Sequence, residues 1–145
     1  MNNYQFQKMA VAYLKEDGRV FLYASSITTT GERIGTPPLS TTDRTNPNEL
    51  GKRIAETLNG SKEKVLLSNT LDEFVSMLKF AGAKSWSSFI KSTKHALIVL
   101  ENDRVSFSPS KLVKRAFMYT GEKLRSSLAP DELGKTLLAA FNACE

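Results

Sequence analysis

Two apolar runs open the chain, 9–14 and 20–24, with the polar Glu16-Asp17-Gly18 between them. Asp-Gly between apolar runs predicts a β-hairpin, because Gly enters a positive-φ turn without steric cost. Both runs are apolar at nearly every position, the pattern of strands covered on both faces. Residues 25–46 are rich in Ser, Thr, Gly and Pro and read as one more irregular strand followed by a loop. Asn46 then offers an N-cap, Pro47 suits the first helical position, and Glu49 completes a capping-box-like start. Leu50, Ile54 and Leu58 recur at helical spacing up to Asn59-Gly60, where Gly makes a natural stop. The order then recurs. A buried strand is predicted at 96–100. Val105 and Phe107 alternate with Ser106 and Ser108, as in a strand with one face in water, and Pro109 ends that strand or places it at an edge. A third strand follows at 115–119, then a helix from Pro130 whose cap position, Ala129, is a poor capper. Between the halves, Thr70-Leu71-Asp72-Glu73 is a capping box for a helix with Phe74, Met77, Leu78 and Ala81 on one face, ended by Gly82. Ser85 caps a second short helix carrying Trp86, Phe89 and Ile90. Trp86 suits core packing or, less simply, ligand stacking.

The recurrence extends to the residues themselves. Pro47-Asn48-Glu49-Leu50-Gly51-Lys52 returns 83 positions later as Pro130-Asp131-Glu132-Leu133-Gly134-Lys135. Over 47–59 and 130–142, six of thirteen positions are identical, and Leu50, Ile54, Leu58 align with Leu133, Leu137, Phe141. Glu16-Asp17-Gly18-Arg19-Val20 likewise has a counterpart in Glu101-Asn102-Asp103-Arg104-Val105. Two units are too few for a solenoid, which needs about three or more. Either helix-start signals have converged or one domain is built from two pseudo-symmetric halves. The expected fold is α+β over 1–145. Two pseudo-repeated β-hairpin-plus-strand units, about 7–60 and 93–143, are each followed by an α-helix, with a helical insert at about 61–92. Gly51 and Gly134 fall in first helical turns, where Gly costs roughly 0.5–1 kcal/mol against Ala. Close packing of helix on sheet explains them better than ligand contact.

Length and composition fit a single domain with an ordinary hydrophobic core. No apolar run approaches the ~20 residues of a membrane span. Residues 1–5 lack the basic-then-apolar layout of a signal peptide, and one cysteine excludes an internal disulfide. A cytoplasmic protein is expected. The net charge of +5 is spread thinly. Its one concentration is Lys111, Lys114, Arg115, Lys123 and Arg125, opposed locally by Glu122 alone. That stretch is either the solvated side of a strand pair or a phosphate-facing surface.

No chemistry of catalysis assembles from these residues. His95 and Cys144 are the sole histidine and cysteine, so no Cys/His zinc site can be built. A Cys144–His95 nucleophile pair would rest on a thiol next to the chain end, where geometry is hard to hold. There is no Gly-x-Gly-x-x-Gly and no Walker-type loop. No catalytic residue, cofactor or metal is expected.

The stretch Ala81-Gly82-Ala83-Lys84-Ser85-Trp86-Ser87-Ser88-Phe89-Ile90-Lys91, with Asp103-Arg104-Val105-Ser106-Phe107-Ser108-Pro109 and Pro130-Asp131-Glu132-Leu133-Gly134-Lys135, resembles the immunity proteins of bacterial contact-dependent growth inhibition. Gly18-Arg19-Val20 and Glu49-Leu50-Gly51 also fit. The likeness runs from about residue 12 to 143, and Lys84-Ser85-Trp86 with Phe89 is its most specific part. Ser108-Pro109-Ser110-Lys111 departs from the family's Thr-Pro-Thr-Arg, and the loop 28–46 matches nothing in particular.

The resemblance implies a specific cytoplasmic inhibitor, not an enzyme. Such proteins bind the toxic C-terminal domain of an effector one-to-one and commonly cover its active site. Those toxins are often nucleases, many of them RNases. The matching motifs are packing and capping residues, so they leave the toxin-facing surface unmarked. Charge supplies candidates. Inhibitors of basic nucleases are often acidic, whereas this chain is basic. A locally acidic contact patch would draw on Asp43, Glu101 and Asp103. A less basic toxin would be met by Arg44, Lys114 and Arg115. A second reading is a Whirly-like single-stranded nucleic-acid-binding protein, in which 111–125 tracks a phosphate backbone and Phe117 and Tyr119 stack on bases. The Lys-Gly-Lys-Ala-Ala-Leu-type motif of those proteins is missing.

Overall fold

β1 (Met9–Leu14) pairs antiparallel with β2 (Arg19–Ile27) on one side and with β4 (Lys94–Glu101) on the other. The computed structural model describes residues 6–66, 82, 84–114 and 116–144. The helix predicted from Thr70 to Ala81 lies outside the described residues, as does Arg115. Outward from β2 comes β3 (Arg33–Asp43), and outward from β4 come β5 (Arg104–Val113) and β6 (Ala116–Tyr119). The sheet order is therefore β3-β2-β1-β4-β5-β6, and a short β7 (Leu124–Ser126) also pairs with β5. All these pairings are antiparallel. Three helices are described: α1 (Pro47–Asn59), α2 (Trp86–Ile90) and α3 (Pro130–Asn142). The fold is the expected α+β arrangement. Each hairpin-plus-strand unit is followed by its helix, and the halves meet at the β1–β4 pair.

Alternation along the strands sorts side chains onto two faces. Ala10, Ala12, Leu14, Val20, Leu22, Ala96, Ile98, Val105 and Phe107 are buried on one face. Leu50, Ile54 and Leu58 of α1, and Leu133, Leu137 and Phe141 of α3, close over them. The opposite face gathers Tyr13, Phe21 and Tyr23 under Phe89 and Ile90 of α2, with Val11 and Phe117 alongside. Both faces of the central strands are covered, as their continuous apolar runs require. Ser85 caps α2 as expected, its hydroxyl accepting from the Ser88 amide at 3.1 Å.

The repeated Pro-x-Glu-Leu-Gly-Lys is explained where α1 and α3 cross. A Cβ on Gly51 would sit 1.7 Å from the Pro130 carbonyl oxygen, and a Cβ on Gly134 would sit 1.8 Å from that of Pro47. Each helix lays its first carbonyl against the other's glycine, leaving room only for Cα–H···O contact. The close packing expected at these glycines is thus helix on helix, not helix on sheet. The two starts are secured differently. Asn46 Oδ1 accepts from the Glu49 amide at 3.1 Å. Ala129 provides no side-chain cap, as its chemistry dictates. There Ser127 substitutes, donating to the Glu132 carboxylate and accepting from the Ala129 amide at 3.3 Å.

One strand expectation is decided and another needs correction. Of the two places open to Pro109 the edge is the one found, and β5 runs on to Val113. Pro109 stands where the outer edge of β5 changes partner, from β7 at 105–107 to β6 at 110–113. A residue with no N–H to donate is tolerated at such a break, and its carbonyl accepts from the Thr120 amide at 3.1 Å. The serine face of β5 does not meet open water. Ser106 is buried and donates to Glu101 Oε1 at 3.1 Å, and buried Ser110 donates to the His95 carbonyl at 2.7 Å. At the other edge, the register slips between Tyr23↔Leu39 and Ala24↔Thr36, leaving Pro37 and Pro38 in a bulge on β3. Prolines belong at such a place on an edge strand.

Candidate functional site

After Pro109, β5 leaves β4 and pairs only with β6, so the last four residues of β5 and all of β6 form a projecting two-stranded ribbon. Its register is Ser110↔Tyr119, Lys111↔Met118, Leu112↔Phe117 and Val113↔Ala116. Lys114 follows at the tip in the left-handed region, φ 53°. A side chain there costs roughly 1 kcal/mol that glycine would avoid.

One face of the ribbon is anchored. Phe117 stacks on the His95 ring, with centroids 4.8 Å apart and planes at 19°. Tyr13 meets both rings, at 5.1 Å from His95 and 5.8 Å from Phe117. His95 Nδ1 lies 3.0 Å from the Ser110 hydroxyl. Burial in this aromatic setting pushes the imidazole pKa down to about 4, so the ring is neutral at pH 7. The ribbon nevertheless leaves much apolar surface open. Leu112 is 41%, Val113 36%, Met118 54% and Tyr119 52% exposed.

A basic rim adjoins that surface. β1, β3 and β4 all reach this end of the sheet, through Leu14, Asp43 and Lys94. Beneath the ribbon is an open hollow of about 430 Å³ lined by Lys15, Arg44, Thr93, Lys94 and Leu112 among others. Arg44 lies over Gly18, with Nε 3.6 Å from where a Cβ would be, and its amide donates to the Gly18 carbonyl. Lys15 is held inward. Its ammonium donates to Thr93 Oγ1 at 2.8 Å and to the Phe89 carbonyl, and sits over the Phe89 ring. Burial lowers its pKa. Arg44, Lys94, Lys111 and Lys114 are exposed, and no ion pair among the described residues engages them. Glu16 also lines the hollow, and of the other acids nearby Asp17 pairs with Arg19 at 2.7 Å. Asp43 accepts from the hydroxyl and amide of Thr45, which hold its carboxyl below the usual range.

Of the six interface candidates Arg115 lies outside the described residues, and the other five divide. Asp43, Arg44 and Lys114 share the ribbon end. Glu101 and Asp103 lie at the opposite end, by the β4–β5 turn. There Glu101 faces Lys123 at 3.2 Å and Arg125 at 4.0 Å, and the hydrogen bond from Lys123 lowers its pKa. The basic stretch 111–125 is split in the same way. Lys111 and Lys114 stand on the ribbon, while Lys123 and Arg125 serve Glu101. Sequence reading missed Leu112, Val113 and Met118. The available signal was Lys111-Leu112-Val113-Lys114, an apolar pair bracketed by charge.

The Cys144 thiol and the His95 imidazole do not meet. Cys144 Sγ donates to the His95 backbone carbonyl at 3.3 Å, while the His95 ring points to the other side of the sheet. The sheet itself separates thiol from imidazole. Among the described residues no group of three His, Cys, Asp or Glu side chains is placed to hold a metal ion, and no helix is long and apolar enough to cross a membrane.

Comparison with known proteins finds likeness in structure. No family model and no curated protein matches the sequence. A structure of a protein of unknown function from Neisseria meningitidis superposes with a TM-score of 0.80 at 20% identity, covering 100% of this chain and 99% of that one. A chain of a CdiA-CT/CdiI toxin and immunity complex from Yersinia pseudotuberculosis superposes with a TM-score of 0.79 at 15% identity, covering 97% and 99%. Both likenesses are of the whole fold, end to end.

Proposed function

We propose that this chain is an immunity protein that binds the toxic C-terminal domain of a contact-dependent growth inhibition effector and neutralises it. The observation that carries the reading is the end-to-end likeness to a chain of a toxin and immunity complex. It is supported independently by the residues that resemble that immunity family, Lys84-Ser85-Trp86 with Phe89 foremost. The exposed apolar ribbon is a further support, since scattered single side chains are ordinary on a surface but a contiguous group marks an interaction site. The inhibitor acts without turnover, one-to-one, in the cytoplasm, by covering the active site of a nuclease, with an RNase the leading class. A specific complex buries about 1,600 Å² in total, within reach of a domain of this size.

Co-expression tests the reading. The chain, tagged, is expressed with the C-terminal domain of the protein encoded immediately upstream, and cell survival and co-purification are followed together. Survival with a one-to-one complex is the expected result. Continued killing without a complex would sink the proposal.

A further inference from the structure

We infer that the β5–β6 ribbon and the basic rim beside it are the docking surface, and that the partner face it takes is a protein surface with an apolar centre ringed by carboxylates. This rests on the toxin-binding reading and goes beyond it, because neither the fold nor the resemblance marks a contact surface.

The centre of the surface is apolar. Leu112 and Tyr119 lie on the Phe117 side of the ribbon and Val113 and Met118 on the other, so both sides of its free end carry apolar side chains that are each more than a third exposed. Apolar strand positions normally face a core, yet here the ribbon has left the sheet, and although the Tyr119 ring comes within 6.1 Å of His95, all four side chains stay more than a third exposed. The rim is predominantly cationic, with Glu16 and Asp43 as its acids. Arg44, Lys94, Lys111 and Lys114 are exposed and take part in no ion pair among the described residues. Interfaces are built in this way, with an apolar centre that holds the complex and a charged rim that steers it.

Charge and shape choose the occupant. A second copy of this chain would set lysine against lysine. A nucleic acid would satisfy the cations but leave Leu112, Val113 and Met118 in water, since aliphatic side chains give bases no plane to stack on. Of the ribbon's two rings, Phe117 is already stacked on His95, which leaves Tyr119 alone to meet a base. A bilayer is flat, whereas the ribbon overhangs a hollow of about 430 Å³. A convex protein element with carboxylates at its edge and an apolar side chain at its crest satisfies all three features.

The test uses the full chain and an inactivated form of the toxin domain encoded immediately upstream, with association and dissociation rates measured at 20 and 200 mM salt. Lys94→Glu/Lys111→Glu/Lys114→Glu should slow association at least tenfold at low salt and flatten its salt dependence. Lys52→Glu/Lys62→Glu/Lys135→Glu changes net charge equally on other faces and should do far less. Leu112→Ser/Met118→Ser alters exposed positions, so the native circular dichroism spectrum is kept while dissociation accelerates at least tenfold. If the wild-type chain binds the toxin domain but the ribbon variants behave like the controls, the docking surface is overturned and the function stands. If the wild-type chain binds no toxin domain, both fall. Capture of an oligothymidylate or of phosphatidylserine vesicles, lost in the lysine variant while toxin binding is untouched, would also overturn it.

Discussion

Gly51 and Gly134 serve one crossing from opposite sides, and this reverses the usual effect of replacing a helical glycine. Alanine normally stabilises a helix interior by about 1 kcal/mol over glycine. Here the added methyl would meet a backbone carbonyl at 1.7 or 1.8 Å, and the backbone of a packed helix cannot rotate aside. Gly51→Ala and Gly134→Ala are each expected to cost about 1–3 kcal/mol in urea unfolding. Since either substitution already forces the helices apart, the double variant should cost less than the sum. Stabilisation by either alanine would refute the contact. The need for close approach was legible in the sequence, because glycine early in a helix is costly without a reason. Its partner was not, because nothing in one segment says what lies against it. His95 supports a second prediction. The native ring holds its pKa near 4, against 6.5 for an exposed imidazole. Below pH 6.5 the unfolded chain takes up a proton that the native chain refuses, so stability falls as pH drops towards 4. The loss from this one group reaches about 3 kcal/mol. His95→Gln should flatten the wild-type decline between pH 6.5 and 4.5, and parallel curves for the two proteins would count against the assignment.

The two long helices share a sequence pattern but not a cap, which makes them internal controls for each other. Asn46 satisfies an amide of α1 that no backbone carbonyl reaches, so Asn46→Ala should cost about 1 kcal/mol. Ala129 is exposed, extended and without a side-chain acceptor at the start of α3. Ala129→Asp should therefore raise stability by about 0.5–1 kcal/mol, by capping and by favourable placement at the positive end of the helix dipole. Thermal unfolding of the pair would decide this, and a stability loss in the aspartate variant would show that Ser127 already meets the need. Local signals of this kind explain why elements were the most legible level. Asp17-Gly18, Asn46-Pro47 and Ser85 each locate an element boundary by their own chemistry. Legibility failed where pairing partners decided the outcome. Pro109 reads as a strand end or an edge position, and only the pairing decides for the edge, because the outer side of β5 changes partner there. β7 is too short to show a period of its own and exists because β5 has a free edge to pair with. The ribbon's exposure was hidden for the same reason, since Leu112 and Met118, on its two faces, carry the apolar signature of core positions.

At the scale of the molecule, the sequence repeat becomes a pseudo-twofold arrangement joined in two places. β1 and β4 pair through the middle of the sheet, and α1 crosses α3 above it. The larger buried cluster takes side chains from both halves, with Leu50, Ile54 and Val20 from the first and Leu133, Phe107 and Ile98 from the second. Neither half encloses this core alone. Removing the second would expose Ala10, Ala12 and Leu22, each of which is fully buried in the whole. The halves should accordingly unfold as one cooperative unit although each repeats the same order of elements. The check is to follow urea unfolding by far-ultraviolet circular dichroism, which reports the helices, and by near-ultraviolet signals from Tyr13 and Tyr23 in the opposite cluster. A single coincident transition is expected, since cooperative folding makes different probes agree. Two midpoints would mean that the β1–β4 seam and the helix crossing are too weak to couple the halves, and that the duplicated units retain independent stability. Leu50→Ala and Leu133→Ala sharpen the distinction. In a single unit each shifts both probes together, by the roughly 2–5 kcal/mol that a buried leucine commands. In two units, Leu50→Ala would shift the transition seen by Tyr13 and Tyr23, which both lie in the first half, and Leu133→Ala would leave it in place.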